Sequence, residues 1–145
     1  MTRHRLAVID SALVQMIVDA SLNDCREVAK GVAELVASGM DEPRIRTALT
    51  SLECGAYGET PARAQLAALV EEFDEQAWRI QEAGLDEGAE YLAAFCRARA
   101  AASVWFALDD DPRTAAIEAA YEAQAALADI SPIRALVSRT CGRTA

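Results

Sequence analysis

The sequence predicts an all-α fold, a compact bundle of about six helices, and three observations carry that prediction. Alanine and leucine dominate the apolar residues, whereas the valine, isoleucine and aromatic residues that favour strands are sparse. Apolar positions recur three and four residues apart, without the sustained alternation typical of strands. Proline suits the first turn of a helix, where its missing amide proton has no partner anyway. All four prolines follow a capping side chain by one or two residues: Asp41-Glu42-Pro43, Thr60-Pro61, Asp111-Pro112 and Ser131-Pro132.

Length, charge and cysteine spacing limit the function classes. A chain of 145 residues fits one domain, over residues 1–145, that needs no disulfide or metal to fold. Its formal net charge of −9 repels nucleic-acid phosphates and anionic membrane surfaces, so neither is expected as a partner. No apolar stretch reaches membrane-spanning length, and the four cysteines form no Cys-x-x-Cys pair. We therefore expect a cytoplasmic protein with reduced thiols, of which Cys25 and Cys96 lie on apolar helix faces.

The predicted helices follow one another along the chain. The apolar stretch over residues 6–20 follows a basic start, but polar residues such as Asp10 interrupt it, so it predicts a first helix rather than a secretion signal. Gly39 ends the second helix, and two glycines in the loop 54–59 separate the third from the fourth. The predicted helices cover about residues 6–20, 25–38, 41–52, 61–83, 86–108 and 112–127, with a short last helix from Pro132.

The end of the predicted fourth helix has a signature of its own. Gly84 follows the apolar stripe and is placed to adopt the left-handed conformation that closes a helix. Leu85 is available for the apolar contact that accompanies such a cap. Asp86 then predicts the capping residue of the fifth helix.

The predicted fifth helix is apolar on more sides than a surface helix requires. Its main stripe consists of Leu85, Ala89, Leu92, Phe95, Cys96, Ala102 and Phe106. Ala101, Val104, Trp105 and Leu108 point to other sides of the same helix. A helix that is apolar on most sides is buried on most sides. It therefore either runs through the middle of the bundle or uses Val104, Trp105 and Leu108 to bind a second copy of the chain.

Arg99 falls on the main apolar stripe of this helix, between Phe95 and Ala102. A guanidinium at a core-facing position needs an anionic or carbonyl partner, because burying an unpaired charge is strongly unfavourable. Two interpretations follow. Arg99 forms an internal ion pair with an Asp or Glu of a neighbouring helix, or it binds an anion in a ligand pocket near Trp105 and Phe106.

Carboxylates concentrate in the predicted fourth helix. The cluster consists of Glu71, Glu72, Asp74 and Glu75. Most of these acids lie away from the apolar stripe, which favours a solvent-facing surface, and Glu75 has Arg79 four residues on in the favourable order for an ion pair. An acidic face of this kind attracts basic partners.

A magnesium site is the alternative interpretation of these acids. Glu72 and Glu75 in the fourth helix, and Glu87 and Glu90 in the fifth, are spaced so that each pair shares a helix face and could hold a hard cation. Two helices with paired acids resemble the arrangement of MazG-type nucleotide pyrophosphohydrolases, which are all-α and usually oligomeric. The resemblance implies Mg²⁺ binding by these four residues, although the family has Asp where this chain has Glu90.

Residues and motifs that the sequence lacks exclude several further classes of site. His4 is the only histidine, which argues against haem binding, histidine-containing di-iron sites and catalytic triads. No glycine-rich phosphate loop is present, and the plain role of Asp109–Asp111 is to cap the following helix. No catalytic residue, metal or cofactor is therefore predicted.

Three functions remain compatible with the sequence. The first is a non-enzymatic interaction or regulatory module, of adaptor, inhibitor or immunity type, that binds another protein or itself as a homodimer through an acidic surface or an apolar patch. The second is a magnesium-dependent, MazG-like nucleotide pyrophosphohydrolase. The third is a small-ligand sensor whose pocket contains Arg99.

Overall fold

The computed structural model describes residues 4–142, which form eight α-helices and no strand. This confirms the all-α fold class, with one more helix than the sequence pattern separates. None of the described helices is both long enough and apolar enough to cross a bilayer. The helices are α1 (Arg5–Ile9), α2 (Ser11–Asp19), α3 (Leu22–Ala37), α4 (Pro43–Cys54), α5 (Pro61–Glu82), α6 (Ala89–Ala107), α7 (Pro112–Leu127) and α8 (Ser131–Cys141).

The centre of the bundle consists of α3, α6 and α7, which all pack against one another. α4 contacts α3, α5 and α6, α8 lies on α3 and α2, and α1 rests on α7. One hydrophobic cluster draws buried residues from all eight helices. α5 and α7 both pack along α6 with little direct contact between them, which leaves a groove over α6.

Three of the four helix starts marked by proline are capped by the residue immediately before the proline. Pro43, Pro61 and Pro112 each begin a helix, as predicted. The capping hydrogen bonds run from the amide of Arg44 to Glu42 Oε1 (3.2 Å), from that of Arg63 to Thr60 Oγ1 (3.1 Å) and from that of Thr114 to Asp111 Oδ2 (3.1 Å).

The fourth start, at α8, differs from the prediction. Ser131 is the first residue of α8 rather than its cap, and Pro132 therefore occupies the second helical position. The amide of Ser131 donates to Asp129 Oδ1 at 3.0 Å. The carboxylate two residues upstream thus orients the start of the helix.

The predicted first helix, over residues 6–20, is two helices because the chain bends at Asp10. Asp10 has an extended backbone (φ −155°, ψ 91°), and its Oδ1 accepts the amide of Leu13 at 3.1 Å to cap α2. Arg134 Nε of α8 donates to Asp10 Oδ2 at 2.5 Å. The apolar periodicity conceals this bend because Leu6 and Ile17 are buried on either side of it.

The predicted start of the central helix at Asp86 is wrong, since α6 begins at Ala89. Gly84 does adopt the predicted left-handed conformation (φ 78°), and the amide of Leu85 donates back to the oxygen of Ile80 at 3.1 Å. This hydrogen bond belongs to the cap of α5. Leu85 therefore lies in the turn and is not part of the apolar stripe of α6.

Helix α6 occupies the middle of the bundle, and its small side chains face the core. Val104 and Leu108 are fully buried, so they offer no surface to a second copy of the chain, and Trp105 is only partly exposed. Ser103 Oγ donates to the backbone oxygen of Ala119 at 2.8 Å, which brings α6 and α7 into close contact. The buried residues of α6 are Ala94, Ala98, Ala100, Ala101, Ala102, Ser103, Val104 and Ala107.

The predicted main stripe of this helix is wrong about which side faces the core. Leu92 is exposed, and Phe95, Cys96 and Phe106 are only partly buried. Leu92, Phe95 and Phe106 lie on the outer side of α6, whereas Ala94, Ala98 and Ala101 lie on its inner side. Of the two cysteines predicted to be buried, Cys25 of α3 is fully so, and burial raises the pKa of its thiol.

Candidate functional site

Most of the net negative charge lies in one segment, residues 71–92, which we call the acidic hairpin. It comprises the C-terminal half of α5, the following turn and the start of α6. Eight Asp and Glu residues stand against one arginine there, a balance of −7 within a chain whose net charge is −9. The net charge of the chain is thus concentrated in this segment, although Arg44 and Arg99 from outside it pair with Glu72 and Asp74.

The acidic hairpin also exposes large apolar side chains. Trp78 is 57% exposed, and Leu85 and Leu92 are each 58% exposed. Such side chains contribute little to folding when they remain in water. The acidic hairpin thus combines excess negative charge with exposed apolar side chains.

A groove runs along α6 between α5 and α7, and we call it the α6 groove. It contains two neighbouring cavities of about 350 and 340 Å³. Trp78 contributes to the first cavity and so joins the groove to the acidic hairpin. The aromatic residues of the lining are Trp78, Tyr91, Phe95, Tyr121, Trp105 and Phe106.

Four charged residues line both cavities: Arg5, Asp74, Arg99 and Glu122. Arg99 of α6 donates from Nη1 to Glu122 Oε2 of α7 at 2.7 Å and from Nη2 to Asp74 Oδ1 of α5 at 2.6 Å. Glu122 is only 2% exposed. The predicted internal ion pair of Arg99 is therefore present, and it links the two walls of the groove across its floor.

The surroundings of Arg99 keep it charged. Burial by itself lowers the pKa of this guanidinium, but the charge of Glu122 and the hydrogen bond to Asp74 outweigh burial and raise it overall. Each of its Nη atoms binds a carboxylate of the protein, so its positive charge is already compensated from both sides. Arg99 thus acts first as a structural tie within the groove.

Arg5 of α1 brings a second cation to the same cluster. Its Nη2 donates to Glu118 Oε2 at 2.5 Å and to Glu122 Oε1 at 3.2 Å. The groove therefore places two arginines against three carboxylates, Asp74, Glu118 and Glu122, and it keeps one excess negative charge.

The four acids of the magnesium hypothesis are not brought together. Glu72 Oε2 accepts from Arg44 Nη2 at 2.7 Å, and Glu75 Oε1 accepts from Arg79 Nη2 at 2.6 Å. Glu87 lies in the turn before α6, and Glu90 is exposed in the first turn of α6. Over residues 4–142, no three His, Cys, Asp or Glu residues gather in a group that could hold a metal ion.

Arg5, Glu118 and Glu122 are members of the site that the sequence pattern did not predict. The available signal was the spacing of Glu118 and Glu122, which lie four residues apart in a helix that is otherwise rich in alanine. A carboxylate on a core-facing side of α7 is the partner that a core-facing Arg99 requires. Arg5 carried no such signal, because its position depends on how α1 docks.

Comparisons of the chain with family models, with curated proteins and with solved structures found no match. The function proposed below therefore rests on the charge, exposure and geometry of the acidic hairpin and the α6 groove.

Proposed function

We propose that this protein is a non-enzymatic interaction module that binds a basic, amphipathic helix of another protein along the α6 groove and the acidic hairpin. The observation that carries the proposal is a coincidence of two properties in residues 71–92. This segment has a charge balance of −7 and also exposes Trp78, Leu85 and Leu92.

The charge of the hairpin favours a different protein over a second copy as the partner. A symmetric dimer would bring the same surface of two chains together and would oppose like charges. A basic segment would instead be attracted before contact, and its apolar side could cover Trp78 and Leu92 afterwards. The homodimer predicted from sequence is therefore the weaker of the two interaction hypotheses.

The shape of the groove favours a helix as the bound element. α5 and α7 form its two walls, since both pack along α6, and they leave the outer side of α6 uncovered. A partner helix lying there would contact three helices, as helices docked in grooves do, with anchoring side chains at helical spacing. The two cavities offer places for such anchors.

A direct test uses two synthetic helices of ~18 residues, about five turns. One has leucines on one face and lysines and arginines on the other, and the second has glutamates in place of the basic residues. We expect fluorescence anisotropy to show binding of the basic peptide only, with an affinity that falls as salt is raised.

Paired variants show whether the acidic hairpin and the α6 groove bind the basic peptide. Trp78→Ser/Leu92→Ser should abolish binding of the basic peptide, whereas Leu22→Ser, which removes a similarly exposed leucine from the start of α3, should leave it unchanged. Equal binding by the wild type and the double variant would contradict the proposal, as would equal binding of the acidic peptide.

A further inference from the structure

The side chain of Arg5 lies among carboxylates and aromatic rings at the α6 groove. Its guanidinium donates to Glu118 and Glu122, which lie one helical turn apart on α7. The guanidinium carbon also lies 4.1 Å from the centre of the Tyr121 ring and 5.8 Å from that of Phe106. One side chain thus meets two carboxylates and two aromatic rings.

This environment suits arginine better than lysine. The guanidinium is planar and can donate to two carboxylates while its face rests on an aromatic ring. An ammonium group has no flat face and is more strongly hydrated. Burial lowers the pKa of Arg5, but Glu118 and Glu122 outweigh that effect and raise it, so the bound group stays charged.

The attachment of Arg5 differs from that of Arg99. Arg99 lies in the middle of a helix of 19 residues and its side chain is 21% exposed, whereas Arg5 begins a helix of five residues and its side chain is 48% exposed. Arg99 cannot leave without disturbing the core. Arg5 can leave by rotation of its own side chain, while the buried Leu6 keeps α1 in place.

We infer that Glu118, Tyr121 and Glu122 form an arginine-recognition subsite, and that Arg5 occupies it in the free protein in place of an arginine from the partner helix. This inference rests on the proposed function and names the side chain that the partner presents. The excess negative charge of the cluster favours binding of a second cation. Without Arg5, the cluster has three carboxylates and one cation, Arg99, which pairs with Asp74 and Glu122 but not with Glu118.

Arg5 then acts as an intramolecular competitor. The apparent affinity of a ligand falls in proportion to the fraction of protein whose site is open. Arg5→Ala should therefore raise the affinity for an arginine-bearing helix by about tenfold, and Arg5→Lys should raise it less because lysine retains the charge but not the stacking.

The test uses two basic helical peptides of identical sequence, one with only arginine and the other with only lysine at its charged positions. Binding of both is measured to the wild type, Arg5→Ala and Arg5→Lys. We expect Arg5→Ala to bind the arginine peptide about tenfold more tightly than the wild type does. Its affinity for the lysine peptide should change by less than about twofold, because only arginine reproduces the contacts of Arg5. Adding Glu118→Gln to Arg5→Ala should remove most of the gain.

Arg134→Ala is the matched control. Arg134 is 53% exposed and pairs with Asp10 near the same end of the chain, but it does not line the α6 groove. Its removal should not change the affinity for either peptide. An equal gain in this variant would show that loosening the N-terminal segment is enough, and it would overturn the inference.

The inference and the proposed function can fail separately. If both peptides bind the wild type equally and Arg5→Ala changes neither affinity, the arginine subsite is wrong while basic-helix binding stands. If neither peptide binds any variant, the proposed function itself is wrong, and the inference falls with it. Should Arg5→Ala prove unfolded by circular dichroism, the Arg5→Lys comparison decides between these outcomes.

Discussion

The two halves of helix α6 differ in how much of their surface is buried. In the C-terminal half, Ala101, Val104 and Ala107 are fully buried against neighbouring helices. In the N-terminal half, Leu92 is exposed and Phe95 is only partly buried, although both are larger than the alanines of the other half. The C-terminal half is thus buried on most sides, whereas the N-terminal half leaves large apolar side chains in contact with water.

This difference separates folding from binding along a single helix. Small residues let α6 and α7 approach closely, and that contact supplies much of the core. Trp78, Leu85 and Leu92 of the acidic hairpin are each more than half exposed, so removing them costs the fold little. Apolar area that the fold does not use is available to a partner.

The largest expected effect comes from truncating a leucine at each end of this helix. Leu108→Ala, directly after α6, should lower the free energy of unfolding by about 3 kcal/mol, because it leaves a cavity in the core. Leu92→Ala should lower it by less than about 0.5 kcal/mol, because that side chain is already exposed. Urea unfolding of both variants measures the difference. Similar losses of stability in the two variants would mean that Leu92 is packed as tightly as Leu108.

A smaller effect is expected from enlarging an alanine in each region. Ala119→Leu adds volume at the contact between α6 and α7 and should cost about 2 kcal/mol, because that interface has no room for it. Ala93→Leu, on the exposed side of α6, should change the free energy of unfolding by less than about 0.5 kcal/mol. Thermal unfolding with circular dichroism is sufficient to compare them. If Ala119→Leu left the free energy of unfolding unchanged, the interface between α6 and α7 would be loosely packed.

The smallest effect concerns the cap that positions α7 against α6. Asp111→Ala should cost about 1 kcal/mol near neutral pH, because it removes the acceptor for the first turn of α7. The hydroxyl of Thr114 is the main cause of a pKa of Asp111 below its usual value. Stabilisation by Asp111 is therefore complete above the unfolded-state pKa of aspartate, about 4, and disappears as the pH falls through the lower folded-state pKa.

Unfolding measurements over a range of pH check the sign of this effect. The wild type and Asp111→Ala should differ most above pH ~5 and converge at lower pH. Asp110→Ala is the control, since the cap of α7 is formed by Asp111 and not by its neighbour. A gap between wild type and Asp111→Ala that widens with acidification would refute the capping explanation.

Local signals predicted the fold well wherever a helix boundary depends on neighbouring residues. The segment from Pro112 to Leu127 has the predicted bounds, and the left-handed Gly84 follows α5 as expected. The bend at Asp10 was missed because the buried Leu6 and Ile17 continue the apolar periodicity across it, which conceals the cap that Asp10 provides. The ion pair of Arg99 was one of two open interpretations, and its partners, Asp74 and Glu122, come from two other helices.

The sequence by itself determined the helical class, most helix starts and the concentration of acid in residues 71–92. These properties depend on periodicity, capping residues and charge, which act within a few turns of the chain. Only the tertiary structure decided that the alanine side of α6 faces inward and that Arg5 meets Glu118 and Glu122. Both depend on how closely helices distant in sequence approach, and the size of the residues between them sets that distance.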